Sequence, residues 1–134
     1  MNIYTAIRKA EEILPGRHAK EGKKDKRWQA IIKIGEFIPY NSEEVKDFII
    51  KWGSNPQADL QAAIATCLLE HILEYEYSKY LPIFRSHASK NKNFASTFSM
   101  AWISTPKGTV HYNPKTKRIE CKYKKDARGR KKGG

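Results

Sequence analysis

The run Asp59-Leu-Gln-Ala-Ala-Ile-Ala-Thr-Cys-Leu-Leu-Glu-His-Ile-Leu-Glu74 carries apolar residues around most of a helix's circumference. At roughly 100° per residue, Leu60, Ile64, Cys67, Leu68, His71, Ile72 and Tyr75 share one broad side. Ala62, Ala65, Leu69 and Leu73 widen that side, and only Thr66, Glu70 and Glu74, with Ala63, make a polar strip. A helix with this pattern must pack on more than one face, and its alanines let neighbours approach closely. It is therefore expected to be the centre of a mainly helical domain, with Cys67 and His71 as core residues. Asn55-Pro56 should open it, and it should run to about Tyr80, just before Leu81-Pro82.

Working outward, apolar spacing predicts further helices on both sides. Ile3, Ile7, Ala10 and Ile13/Leu14 form a first, stopped by Pro15-Gly16. Asp25 caps a second, faced by Trp28, Ile31/Ile32, Gly35 and Phe37/Ile38 and ended by Pro39. Asn41 with Glu44 has capping-box spacing and opens a third along Val45, Phe48/Ile49 and Trp52, with Gly53 at the C-terminal cap position. Residues 82–87 make a short helix, and Phe94, Phe98 and Ala101/Trp102 mark a last one, capped by Asn91 or Asn93. After residues 106–108 the period changes. Thr109-Val110-His111-Tyr112 and residues 117–124 alternate around Asn113-Pro114-Lys115-Thr116, the signature of a β-hairpin with a four-residue turn. Val110 and Tyr112 share a face with Ile119, Cys121 and Tyr123 only if a bulge or a register choice allows it.

The 134 residues fit one folding unit, divided by this pattern into a helical body, residues 1–104, and a basic hairpin with a C-terminal arm, residues 105–134. The net charge is +12, unevenly spread. Residues 1–104 hold 15 Lys and Arg against 12 Asp and Glu, while residues 105–134 hold 11 against 2, so +9 of the +12 lies in the arm. Such asymmetry points to an anionic partner, whether nucleic acid, an acidic protein surface or anionic lipid, of which the first two are the expected partners. There is no apolar run of about 20 residues to span a membrane, and no secretory signal is expected, so the two cysteines, Cys67 and Cys121, are expected as thiols in a cytoplasmic protein.

The segments Asp25-Lys-Arg-Trp-Gln-Ala-Ile-Ile-Lys-Ile34 and Asp59-Leu-Gln-Ala-Ala-Ile-Ala-Thr-Cys-Leu68 are alike in layout, with their aspartates 59 − 25 = 34 residues apart. Together with Arg27-Trp-Gln-Ala-Ile-Ile-Lys-Ile-Gly-Glu-Phe37, they resemble HEAT-type repeats and small uncharacterised bacterial proteins with HEAT-like helices. The resemblance covers about residues 25–102 and implies a short right-handed stack of about five helices with a curved binding surface. It implies no catalysis. Gln61 departs from the pattern, standing where such repeats often carry Arg.

For chemistry, Cys67 and His71 lie at i, i+4 with Glu70 and Glu74 adjacent, but no second Cys/His pair completes a zinc site. A metal-dependent enzyme around His71 and Glu74 is the weakest reading, and no cofactor is implied. No nucleophile motif or phosphate-cradling glycine loop occurs. The basic residues carry the main functional signal. Lys107, Lys115, Lys117, Arg118, Lys122, Lys124 and Lys125 interleave with His111, Tyr112 and Tyr123, and Arg128, Arg130, Lys131 and Lys132 extend the run. Lys23, Lys24 and Arg27, in the basic loop before the second helix, make a second patch. Cations for phosphates beside aromatic faces for bases are the equipment of nucleic-acid binders. The expected function is a non-enzymatic binding module whose arm contacts nucleic-acid backbone. The alternative is an adaptor or immunity-type subunit of a bacterial defence system that uses its helical surface, with Trp28, Trp52 or Trp102 at a groove.

Overall fold

The computed structural model describes residues 1–16 and 25–124, with side chains through residue 121. It is mainly helical, with a small antiparallel sheet at the C-terminal end. The helices are α1 (Ile3–Ile13), α2 (Lys26–Gly35), α3 (Ile38–Gly53), α4 (Ala58–Ile64), α5 (Glu70–Tyr75), α6 (Tyr77–Lys90) and α7 (Lys92–Ser99), and a π-helical segment, Ala65–Leu69, joins α4 to α5. Strands β1 (Ile103–Thr105), β2 (Gly108–Asn113) and β3 (Arg118–Lys124) follow in the order β1-β2-β3. No helix among the described residues is long and apolar enough to cross a membrane.

Local chemistry sets the helix ends. Asn2 accepts from the Thr5 amide, Asp25 from the Arg27 amide and Asn91 from the Phe94 amide, at 2.9–3.0 Å, each satisfying a donor with no partner inside its own helix. Asn55 accepts from the Gln57 amide at 2.9 Å, so Asn55-Pro56 forms a turn and α4 begins two residues later than the sequence suggests. Helix α3 starts before Pro39 rather than after it, and its backbone breaks from helical geometry at Asn41 (φ −139°, ψ 48°). Gly53 is not a left-handed cap. A Cβ there would lie 3.2 Å from the Phe94 ring and 3.3 Å from the Thr97 methyl, so glycine is needed where α3 meets α7.

The unit α4–π–α5 is central. It packs against α2, α3, α6, α7 and β1, and Leu60, Ile64, Ala65, Leu68, Leu69, Ile72 and Leu73 are buried. Each buried Leu or Ile side chain contributes roughly 1.5–3 kcal/mol of transfer free energy. The π segment corrects the expected face. A π turn takes up one residue more than an α turn, so the apolar stripe beyond it advances by one position. Leu69, Ile72 and Leu73 turn inward, Cys67 is half-buried, and His71 and Tyr75 are exposed. His71 is thus not the core histidine that an unbroken α-helix predicts, and Ala63, assigned to the polar strip, is buried. The helix also ends earlier than expected. Glu76 (φ −143°, ψ 77°) interrupts it, and α6 then carries Pro82 inside its second turn.

The hairpin gains a third strand and shares the helical core. Ile103 pairs with Val110, extending the sheet across the 104/105 boundary drawn from composition. A register shift between Thr109 and Val110 supplies the bulge that puts Val110 opposite Cys121 and Tyr112 opposite Ile119. Ile103 and Tyr112 are buried, and the Tyr112 ring stacks on Phe98 with centroids 4.9 Å apart and planes 9° from parallel. The Tyr112 hydroxyl has no hydrogen-bond partner among the described residues.

Two substitutions test this shared core. Tyr112→Phe removes an unpartnered buried hydroxyl and should leave stability unchanged or raise it by up to about 1 kcal/mol. Tyr112→Ala should cost about 3–5 kcal/mol in denaturant unfolding. A loss under about 1 kcal/mol for the alanine variant would mean that the sheet does not share the core.

Candidate nucleic-acid interface

The predicted cations do not form one patch. Arg27 is the clearest correction. Its side chain is buried, with a guanidinium nitrogen 3.4 Å from the Asp25 carboxylate, a second hydrogen bond of 3.2 Å to Gln57, and a short ion pair to Asp59. A cation so enclosed is a structural tie between α2 and the start of α4 and presents no charge to phosphate. Burial opposes the Asp25 carboxylate, but the hydrogen bonds it accepts from Arg27 more than offset that, so its pKa lies below the ordinary value. Lys23 and Lys24 fall outside the described residues, as do Lys125, Arg128, Arg130, Lys131 and Lys132.

The sheet divides the rest between two ends. Lys107 is exposed in the β1–β2 turn, and Lys124, opposite Gly108 in the register, has its backbone at the same end. Lys122 and Tyr123 lie in β3 approaching that end. Lys115, Lys117 and Arg118 are exposed at the opposite end, five residues or roughly 17 Å along β2. The β2–β3 turn there is built on Asn113, whose side-chain oxygen accepts from the Lys115 amide at 2.9 Å, and on Lys117, which takes a left-handed conformation (φ 58°). The four turn residues are therefore 114–117, one position later than expected.

At this end the structure brings in cations that the arm-centred reading missed. Arg85 of α6 donates to the Lys117 carbonyl, and the Lys117 amine donates to the Ser89 carbonyl, both at 3.5 Å. These contacts fasten the turn to the C-terminal half of α6, where Arg85, Lys90 and, at the start of α7, Lys92 are exposed. From Tyr77 to Ile119 the chain contains no Asp or Glu. Glu120, the first acid beyond that stretch, is engaged by the Asn113 side-chain amide. Lys79, in the same stretch, is drawn off to Glu43 at 3.0 Å. Six exposed cations, Arg85, Lys90, Lys92, Lys115, Lys117 and Arg118, therefore belong to the turn and to the helix ends it is fastened to, and no ion pair occurs for them among the described residues. The signal for them in sequence was the acid-free interval, which crosses the boundary between body and arm.

The tryptophans behave differently from one another. Trp52 donates its indole N–H to Glu11 at 3.1 Å, and Lys51 pairs with the same carboxylate, which lowers the Glu11 pKa. Trp28 is half-buried against the core. Trp102 is 39% exposed and stacks on His111 at 4.9 Å on the sheet's outer face. Its amide donates to Glu70 at 3.1 Å and the Ser104 amide donates to Glu74 at 3.4 Å, so α5 carboxylates occupy the free edge of β1. His71 and Cys67 line a shallow groove with Glu36, and no group of three or more His, Cys, Asp or Glu suited to a metal ion occurs among the described residues.

Arg27→Ala strands two aspartates that are about a fifth exposed. It should cost about 2–3 kcal/mol at pH 7, less than the 3–5 kcal/mol of a fully buried pair. Because the folded-state pKa of Asp25 is lowered, its contribution is present above the ordinary carboxylate value near 4 and is lost as pH falls through the folded value. The stability gap between the natural chain and Asp25→Asn should therefore narrow below about pH 4 in denaturant titrations. Comparison of the chain with protein-family models, curated proteins and solved structures found no match.

Proposed function

We propose that this protein is a non-enzymatic binding module that contacts nucleic-acid phosphates through the cationic face where α6 meets the β2–β3 turn, with the basic C-terminal residues extending the contact. The observation that carries this reading is the acid-free interval from Tyr77 to Ile119, within which Arg85 and Ser89 of α6 hold the cationic β2–β3 turn at Lys117. Exposed cations without internal counterions gain most from an anion that arrives with its own condensed counterions to release. Contacts of this kind position a backbone and carry no base sequence.

The body, in this reading, is a short HEAT-like right-handed stack. One contact supports it. Arg27 of α2 reaches Asp59 of α4, and Asp59 stands one 34-residue period after Asp25. Gln61, the departure from the repeat pattern, is buried and bridges the Asn55 carbonyl, at 2.7 Å, and the Ser96 hydroxyl, at 2.9 Å. It does with two neutral hydrogen bonds what an arginine would do with charge. A cytoplasmic location and a bacterial origin belong to the same proposal.

The test is a salt series with labelled single- and double-stranded DNA and RNA of about 20 nucleotides. Truncation after Ser104 would remove Tyr112 from the core, so the variants are Arg85→Gln with Lys117→Gln, and truncation after Lys124. Log K should fall with log salt by about 0.9 per duplex phosphate neutralised, and the double substitution should lower that slope by about two. Failure of the full chain to bind any of the four nucleic acids at about 100 mM salt more tightly than about 10⁻⁴ M would overturn the proposal.

A further inference from the structure

Helices α1 and α2 lie side by side and enclose an open groove of about 570 Å³. Two matched helical stripes line it. On α1 these are Ala6, Lys9, Ala10 and Ile13, and on α2 Lys26, Gln29, Ala30 and Lys33, both at i, i+3, i+4 and i+7 spacing. Ala6 and Ala10 are buried and Ala30 is half-buried, so the floor is small and apolar. Lys9, Lys26 and Lys33 are exposed along the rim, and no acid among the described residues lines the groove. Lys33 makes an exposed pair of 3.0 Å with Glu36, of the kind worth little, while Lys9 and Lys26 have no ion pair among the described residues.

We infer that this groove is a docking site for an acidic amphipathic helix of a partner protein. Two helical stripes with alanine at their centres offer a seat into which a third helix can pack closely, since small side chains shorten the distance between helix axes. Each helix is about 15 Å long, enough to seat some ten residues of a ligand helix. Such a helix would lay its apolar stripe on the half-buried Ile13 and Ala30, above the buried Ala6 and Ala10, and present Glu or Asp to the three lysines, the helix-in-groove mode of recognition. Charge fixes the choice of occupant. A second copy of this chain, with net charge +12, would bring repulsion to a lysine rim. Nucleic acid would satisfy the lysines but would leave the apolar floor without a complementary surface.

The experiment uses the full ¹⁵N-labelled chain and a synthetic peptide of about 18 residues, with Leu and Ala at i, i+3, i+4 and i+7 and Glu on the flanks. Controls are a scrambled peptide of identical composition and a thymidine 20-mer. Amide shifts should concentrate on Lys9, Ala10, Ile13, Gln29, Ala30 and Lys33. The scrambled peptide, and the double variant Lys9→Glu with Lys26→Glu, should each weaken binding at least about tenfold, or roughly 1.4 kcal/mol. Both lysines are exposed, and circular dichroism would verify that the variant keeps its fold. Equal binding of the scrambled peptide would overturn the inference, because attraction would then be generic charge. So would displacement of the helical peptide by the 20-mer from these same residues, which would make the groove a nucleic-acid surface. Absence of shifts along the two stripes would also overturn it.

Discussion

The helical unit from Ala58 to Tyr75 exposes so little of its circumference that it must be surrounded, and the rest of the molecule is arranged to surround it. α2 and α3 cover one side, α6 and α7 another, and β1 closes the end beside α5. What makes this enclosure possible is the wide turn at Ala65–Leu69. Without it, the apolar stripe would carry Cys67, His71 and Tyr75 inward and bury a titratable ring among aliphatic chains. With it, Leu69 and Leu73 take those places. The Gly35 position fits the same geometry. A Cβ there would stand 3.2 Å from the Cys67 carbonyl and 3.3 Å from a Leu68 methyl, so α2 crosses the π segment at close range.

Gln61, Thr97 and Arg27, polar groups drawn into this packing, are satisfied locally, and that bears on which charges remain for the surface. Gln61 links α4 to the Asn55 turn and to α7, and Thr97 donates to the Gly53 carbonyl. Arg27 is held by Asp25, Gln57 and Asp59. On the α5 side, Glu70 and Glu74 accept from backbone amides of β1 and its lead-in, which blunts an edge that could otherwise pair with another chain. Burial raises the Glu70 pKa, and the bond from the Trp102 amide works against that rise. Several acids of the body are thus engaged by backbone amides, by Arg27, and by lysines of α3 and α6.

Much of the fold was legible in sequence because apolar periodicity reports which face is buried. The helix caps Asp25 and Asn91, the strand alternation and the need for a bulge all followed from local chemistry. What sequence could not reveal was phase. A single extra residue in one turn carries no compositional mark, yet it moved His71 and Tyr75 from core to surface. The third strand was hidden for a related reason, since Ile103-Ser104-Thr105 is too short to display alternation and becomes a strand only by pairing with β2. The candidate site was partly legible. The turn lysines and Arg118 were visible as charge, whereas Arg85, Lys90 and Lys92 sat in helices whose apolar residues drew attention away from their missing acids. Arg27 reads as a surface cation from its charge, whereas its burial depends on Asp59, 59 − 27 = 32 residues away, as well as on Asp25.

A surface of one sign is costly to maintain, because like charges held together by folding repel one another. Natural chains commonly relieve this with interspersed acids, and this one does so in Glu43–Lys46 and Glu11–Lys51, with Glu43 reaching across to Lys79 as well. From Tyr77 to Ile119 the sequence itself supplies no acid, although Ser86, Ser89 and Thr116 are exposed positions. Arg85 and Lys117 are held to the same junction, Arg85 donating to the Lys117 carbonyl and Lys117 to the Ser89 carbonyl. The anion proposed above, with its closely spaced charges, would convert that repulsion within the free protein into attraction across the contact.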